Sequence, residues 1–214
     1  MKCWLKKART LKFYFAKQLD VMLIAFEGLD QSGKETQSKQ LRDRLRAAGR
    51  KARVVSFPDY GTSIGEEIAR ALQGERDYTA EVMQLLYVAN RYERKSDIDR
   101  WQRAGITLLC DRYIASSIAY GEAQGLDVEW LVTIQRFLPA PDLTVFLDIA
   151  PETALKRKAT GRDRYEQDHA LQVGVRESYL RQAQHSSWLR VDGERPPDDV
   201  ALELATLVED RLES

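Results

Sequence analysis

Apolar residues in this chain form short runs that alternate with longer stretches of helical spacing. Met22 to Phe26 is a continuous apolar run, and Ile106 to Cys110 and Leu143 to Leu147 are apolar but for Thr107 and Thr144, the pattern of strands covered on both faces in a parallel sheet. Arg53 to Phe57, closed by Pro58, and Trp188 to Val191 complete a predicted set of five. Between them, helical spacing runs over Lys34 to Ala48, with Leu41 and Leu45 on one face and a stop at Gly49, and over Ile64 to Leu72. Ala80 to Ala104, with a break near Asp97, and Val128 to Phe137 also read as helices. Later helices are predicted over Pro151 to Lys158, opened by a first-turn proline, over Ala170 to Gln184, and over Pro197 to Leu212. Alternating strands and helices imply an α/β fold around a parallel sheet.

The segment from Ala159 to Asp168 is too polar for a core and reads as a mobile loop. No repeat, low-complexity tract or linker divides residues 22–214, which therefore form one domain. Residues 1–21 look like an N-terminal extension to a domain complete without it. Lys2, Lys6, Lys7, Arg9, Lys12 and Lys17 there surround Trp4, Phe13, Tyr14 and Phe15, and an interfacial helix or targeting arm is the competing reading.

Composition narrows the partners. Among 214 residues, Lys plus Arg and Asp plus Glu number 33 each, so no global field draws the chain to nucleic acid or to an anionic membrane. A small anionic ligand fits better than a polymer. No apolar stretch approaches the roughly 20 residues that cross a bilayer. Cys3 and Cys110 have neither disulfide nor metal-ligand spacing, which points to a reducing, cytoplasmic setting.

Gly28-Leu29-Asp30-Gln31-Ser32-Gly33-Lys34 follows the first strand and opens the first helix. Two glycines and a lysine at this spacing form a P-loop, whose backbone amides cradle phosphates while the lysine neutralises the transferring group. Chance alone would place such a set in a chain of this length about 0.06 times. The predicted fold is thus a P-loop three-layer αβα arrangement, with a central parallel five-stranded sheet and a short mobile lid over about residues 159–168. One position departs from the pattern: Glu35 follows Lys34 where a magnesium-facing hydroxyl is usual, and Thr36 comes one residue late. A carboxylate there repels phosphates unless a cation lies between them. Glu35 is therefore a candidate magnesium ligand, with pairing to solvent or to Arg162 as the alternative. Asp111-Arg112-Tyr113, just past a strand's carboxyl end, supplies an acid for a magnesium shell and a base for a phosphate.

These motifs, with Phe26-Glu27-Gly28, Phe57-Pro58 and the later Gly65, Asn90-Arg91, Pro139-Ala140-Pro141-Asp142, Leu147-Asp148 and Arg164-Tyr165-Glu166, resemble the thymidylate kinase family in their order, over nearly everything from Met22 onward. The resemblance implies transfer of a phosphoryl group from ATP to dTMP with Mg²⁺, and a homodimer. It implies catalytic roles for Asp30, Lys34, Arg112, Arg162 and Arg164. It places ATP on Gly28, Gln31, Ser32, Gly33, Lys34, Glu35, Thr36, Arg157 and Asp192. It places dTMP on Asp30, Phe57, Tyr60, Tyr87, Arg91, Arg112, Ser116, Tyr120 and Tyr165. Within that set Tyr87 stacks on thymine, Arg91 reads a base carbonyl, Arg112 clamps the acceptor phosphate and Tyr120 crowds the sugar 2′ position. Gln31 stands where some members carry a P-loop arginine, and Lys158, Arg162 and Arg164 crowd the lid, so the chain resembles the lid-arginine type. Asp59-Tyr60 replaces the acceptor-phosphate arginine of many relatives. A kinase of another nucleotide or deoxynucleoside, and a nucleotide-binding protein that has lost turnover, are the alternative readings.

Overall fold

The structure, a computed structural model, describes residues 21–158, 160–161 and 164–213. The expected extension thus lies outside the described residues apart from Val21. Its first strand, β1 (Leu23–Glu27), is buried at every position because its two faces meet different layers. Ile24 and Phe26 pack with Leu41, Leu45, Val200 and Leu204, whereas Leu23 and Ala25 pack with Ile98, Leu108 and Tyr113. A strand covered twice needs an unbroken apolar run.

β2 (Ala52–Ser56), β3 (Thr107–Asp111), β4 (Leu143–Asp148) and β5 (Trp188–Asp192) complete one sheet in the order β2-β3-β1-β4-β5, parallel throughout. Helices α1 (Lys34–Ala47) and α9 (Pro197–Glu213) cover one face. The other face is covered by α3 (Ala80–Arg103), α4 (Ile114–Ala123) and α8 (His169–Gln182). The shorter helices α2 (Ser63–Leu72), α5 (Val128–Thr133), α6 (Pro151–Arg157) and α7 (Arg164–Gln167) lie between them in the chain. From β3 the chain crosses over β1 to β4, which gathers the carboxyl ends of these three strands at the centre of the sheet, the edge where open α/β sheets bind ligands.

Four elements differ from the sequence reading. α4 has no counterpart in it: Ile114 to Ala123 is rich in Ser, Ala and Gly without apolar periodicity, and its first amides are capped from another strand by Glu27. α5 stops at Thr133 instead of Phe137, as the Gln135 side chain turns back to donate to Leu131 O at 2.9 Å. α3 runs unbroken through Asp97, which pairs with Arg94 and Arg100 three residues either side. The segment read wholly as loop contains α7, where Glu166 is buried.

Candidate active site

The P-loop leaves β1 through a turn that the sheet itself closes. A Cβ at Gly28, whose φ is 142°, would lie 2.5 Å from Leu147 O, so only glycine fits. Gln31 takes the left-handed conformation at φ 63° and Gly33 follows at 96°, which starts α1 with its free amides facing the loop. Lys34 is buried, and its Nζ donates to Leu29 O at 2.6 Å and to Ser32 Oγ at 3.5 Å. Burial, with Arg112 acting in the same direction, pushes its pKa from 10.5 down to about 8, against the opposing charges of Asp30, Asp111 and Glu27. An ammonium held this way is primed to gain an anion.

All nine residues that the resemblance assigns to the acceptor line one cavity: Asp30, Phe57, Tyr60, Tyr87, Arg91, Arg112, Ser116, Tyr120 and Tyr165. Pro58, Leu72, Gln84 and Ser117 complete its wall. At its P-loop end Arg112 Nη2 donates to Asp30 Oδ1 at 2.7 Å, and the Tyr120 hydroxyl bonds Asp30 Oδ2 at 3.2 Å. The Arg112 guanidinium also lies 5.3 Å over the Tyr120 ring. Burial alone would raise the Asp30 pKa, but Arg112 and Lys34 outweigh it and hold the carboxyl at about 2. Asp30 is thus an anion throughout the working range, although its side chain keeps 32 % exposure. Arg112 emerges because β3 pairs Asp111 with Phe26, and Arg112 N donates to Phe26 O at 2.9 Å.

Also in the cavity's lining, Arg91 is buried on α3, one turn from Tyr87. Its Nη1 donates to Ser117 Oγ at 2.7 Å and to Gln135 Oε1 at 3.2 Å, while Nε has no partner among the described residues. A buried unpaired donor is costly and fits an incoming carbonyl. Tyr120 and Tyr165 close the side wall with ring centroids 6.1 Å apart.

A second cleft, of about 490 Å³, lies on the other side of the P-loop between Ser32, Gln37, Arg157, Gly193 and Pro197. Arg157 Nη1 donates to Gln31 O at 3.1 Å and Nη2 to Gly193 O at 2.8 Å. These bonds use the guanidinium's edges and leave its flat faces for stacking. Asp192 is exposed and accepts from Glu194 N at 2.9 Å, and Thr36 is exposed at the start of α1. Neither lines the cleft. Lys158 pairs with Glu166 at 2.6 Å. Arg164 opens α7, and Arg162 lies outside the described residues.

Magnesium needs one or two carboxylates beside the phosphates and does not require an all-protein cage. Among the described residues no group of three or more metal-capable side chains occurs. Asp111 is half-buried at the end of β3, where its charge acts on Lys34 and raises that residue's pKa, and a single carboxylate so placed fits the shared mode. Glu35 is 68 % exposed and ion-pairs with Lys39 one turn along α1. Glu35 thus faces solvent here, with Lys39 as its partner among the described residues.

Asp59, at the departure from the arginine pattern, accepts from Arg94 Nε at 2.6 Å. Tyr60 is half exposed at the cavity wall. Asn90 holds this turn: its Oδ1 accepts from Asp59 N at 2.7 Å, and its Nδ2 donates to Asp59 O and Thr62 Oγ1. Gly65 allows the turn to close, since a Cβ there would fall 1.9 Å from Asp59 O. Asn90, Gly65 and Glu27 stand in the motifs quoted from the sequence without a role; Ser117, Gln135 and Tyr179 carried no local signal at all.

The sequence model of the thymidylate kinase family matches residues 26–204. A thymidylate kinase of Schizosaccharomyces pombe is 42 % identical over 151 residues, 71 % of this chain and 72 % of that protein. The human thymidylate kinase is 34 % identical over 195 residues, 89 % of this chain and 91 % of its own. In three dimensions, the thymidylate kinase structure from Candida albicans superposes with a TM-score of 0.81 at 31 % identity, over 90 % of this chain and 92 % of that one. With the P-loop, the Asp111-Arg112 turn and the Tyr87-Arg91 helix face all set around one cavity, the chain belongs to the thymidylate kinase family.

Proposed function

We propose that this chain transfers the γ-phosphoryl group of ATP to the phosphate of dTMP, giving dTDP and ADP. The observation that carries this reading is one cavity lined both by Tyr87 and Arg91, one turn apart on α3, and by Arg112 and Asp30, which pair beside the P-loop. The first pair suits an aromatic base with a carbonyl, the second a phosphate beside the P-loop. A phosphate oxygen of dTMP attacks the γ-phosphorus, the bond to the β–γ bridging oxygen breaks, and ADP leaves with the electron pair. A phosphate monoester is largely a dianion at pH 7, so the attack needs no strong base. Catalysis then reduces to positioning and charge neutralisation.

Arg112 is assigned to the acceptor phosphate, and Asp30 holds Arg112 in place and faces the sugar. Lys34 is assigned to the β and γ phosphates, Arg162 and Arg164 to charge developing under the lid, and Arg157 to the adenine. Asp111, together with the nucleotide's phosphates, would hold magnesium, which would supply neutralising charge for the transfer. Tyr120 is placed to crowd a ribose 2′-hydroxyl. A homodimer belongs to this reading as well. So does a cytoplasmic location, in keeping with the buried free thiol of Cys110; no helix among the described residues is long and apolar enough to cross a membrane.

The test is product analysis. Incubation with ATP, Mg²⁺ and dTMP, resolved by anion-exchange chromatography, is expected to yield dTDP and ADP in equal amounts. ADP without dTDP would reduce the chain to a nucleotidase, and neither product would mean loss of turnover.

A further inference from the structure

Glu27 ends β1 with a carboxylate that is wholly buried, and the reaction set out above gives it no task. A buried charge has to be satisfied by donors. Its Oε1 accepts from Tyr113 N at 2.9 Å and from Ser116 N at 3.3 Å. Its Oε2 accepts from Ser116 Oγ at 2.6 Å and from the Tyr179 hydroxyl at 3.0 Å. These four donors surround Arg112 in sequence or in space.

The backbone part of this set holds a strained turn. Arg112 has φ 64°, a conformation that residues other than glycine seldom adopt and that persists only where neighbours enforce it. Phe26 O fixes the amide of Arg112 itself, and Glu27 fixes the amides one and four residues later. Consecutive residues of β1 thus clamp the turn that presents the guanidinium.

The side-chain part fixes proton direction. Arg112 Nη1 donates to Ser116 Oγ at 3.2 Å and to the Tyr179 hydroxyl at 3.5 Å, and those two oxygens also touch each other at 2.9 Å. Each hydroxyl has one proton, and a guanidinium can only donate. If each proton goes to Glu27, or one goes to the other hydroxyl, none points at Arg112. Both oxygens therefore offer lone pairs to the guanidinium, whose Nη2 continues to Asp30.

We propose that Glu27 is a positioning residue for phosphoryl transfer, holding Arg112 in its phosphate-facing pose through the turn amides and the Ser116 and Tyr179 hydroxyls. This rests on the assignment of Arg112 to the acceptor phosphate. Glu27→Gln preserves shape but brings an NH₂ that turns a hydroxyl proton toward Arg112. The expected result is a KM for dTMP raised at least fivefold and a kcat lowered at least fivefold. The dissociation constant for ADP stays within twofold and unfolding stays cooperative. Tyr179→Phe should show part of the same dTMP defect. Combined with Glu27→Gln, it should cost less than the product of the two single effects, since both act through one chain of bonds.

A lowered melting temperature with the dTMP KM and kcat changed less than fivefold would overturn the proposal, as would equal weakening of dTMP and ADP. Should Glu27→Gln fail to fold, the Ser116→Ala/Tyr179→Phe variant decides: a dTMP KM raised at least fivefold with normal ADP affinity supports the proposal, and a smaller rise overturns it. A wild-type chain without dTMP kinase activity would defeat the functional reading and this inference with it, an outcome visible before any substitution is made.

Discussion

Arg112 and Asp30 meet at 2.7 Å on the P-loop wall of the acceptor cavity, with the Tyr120 hydroxyl 3.3 Å from the guanidinium and 3.2 Å from the carboxylate. Burial disfavours a lone cation, yet the Asp30, Tyr120 and Tyr179 surroundings raise the Arg112 pKa well above its ordinary value. The arginine is thus a permanent charge whose donors are aimed before any substrate arrives. Preorganised charge of this kind contributes most where water is excluded.

Arg112→Ala should lower kcat/KM for dTMP by about 10²- to 10³-fold, or about 2.7 to 4 kcal/mol, with the KM for ATP changed less than threefold. Steady-state rates at varied dTMP and saturating ATP measure this. A loss shared equally between the substrates would move Arg112 out of the acceptor site.

Much of this was legible in the sequence because it rests on local pattern. Apolar runs such as Met22 to Phe26 carry the burial of both strand faces, and the glycine spacing around Lys34 carries the phosphate loop. The rest depends on residues that meet only in the fold. α4 is capped by Glu27, 86 residues before Tyr113, so nothing in Ile114 to Ala123 announces a helix. Tyr179 reaches the site from α8, and Gln135 reaches Arg91 from beyond α5. Glu35 is a position the sequence pattern left open between metal and solvent, and its side chain lies along the helix against Lys39.

Arg91→Ala should weaken dTMP binding by about 1 to 3 kcal/mol, near 5- to 150-fold in Kd, because the base loses a buried donor. ADP binding should change less than twofold. Calorimetric titration of each ligand separates the two, and equal effects would place Arg91 outside the base pocket.

Lys34 gives a pH signature. Its folded pKa of about 8 lies below its ordinary 10.5, so between these values the folded chain holds fewer protons than the unfolded one. Its contribution to unfolding free energy is a penalty at pH 7 that is relieved as pH rises from about 8 to 10.5. Phosphate binding has the opposite preference, since it needs the ammonium. ADP affinity is expected to be flat from pH 7 to 8 and to fall by up to about tenfold per pH unit above it, with proton uptake on binding. Lys34→Met should bind weakly with that pH dependence removed. Affinity unchanged from pH 7 to 9 in the wild type would remove Lys34 from the phosphate site.

Glu35→Gln should leave turnover and magnesium activation within twofold of wild type, because the carboxylate is engaged with Lys39 at the surface. Loss of that exposed pair should cost under about 0.5 kcal/mol in chemical denaturation. A raised magnesium requirement with lower turnover would instead restore Glu35 as a metal ligand.

The most direct measurement is the kcat/KM of the full chain for dTMP against dCMP, dAMP, ribothymidine monophosphate and thymidine, with ATP and Mg²⁺ and with ADP release coupled to NADH oxidation. A cavity with Arg91 at the base end, Tyr120 beside the sugar and Arg112 at the phosphate end should favour dTMP over each alternative by at least about tenfold, since each removes or crowds one of these contacts. Thymidine, which lacks the phosphate, should give no rate above background. A higher kcat/KM for any other member of this panel would contradict the assignment of this cavity to dTMP.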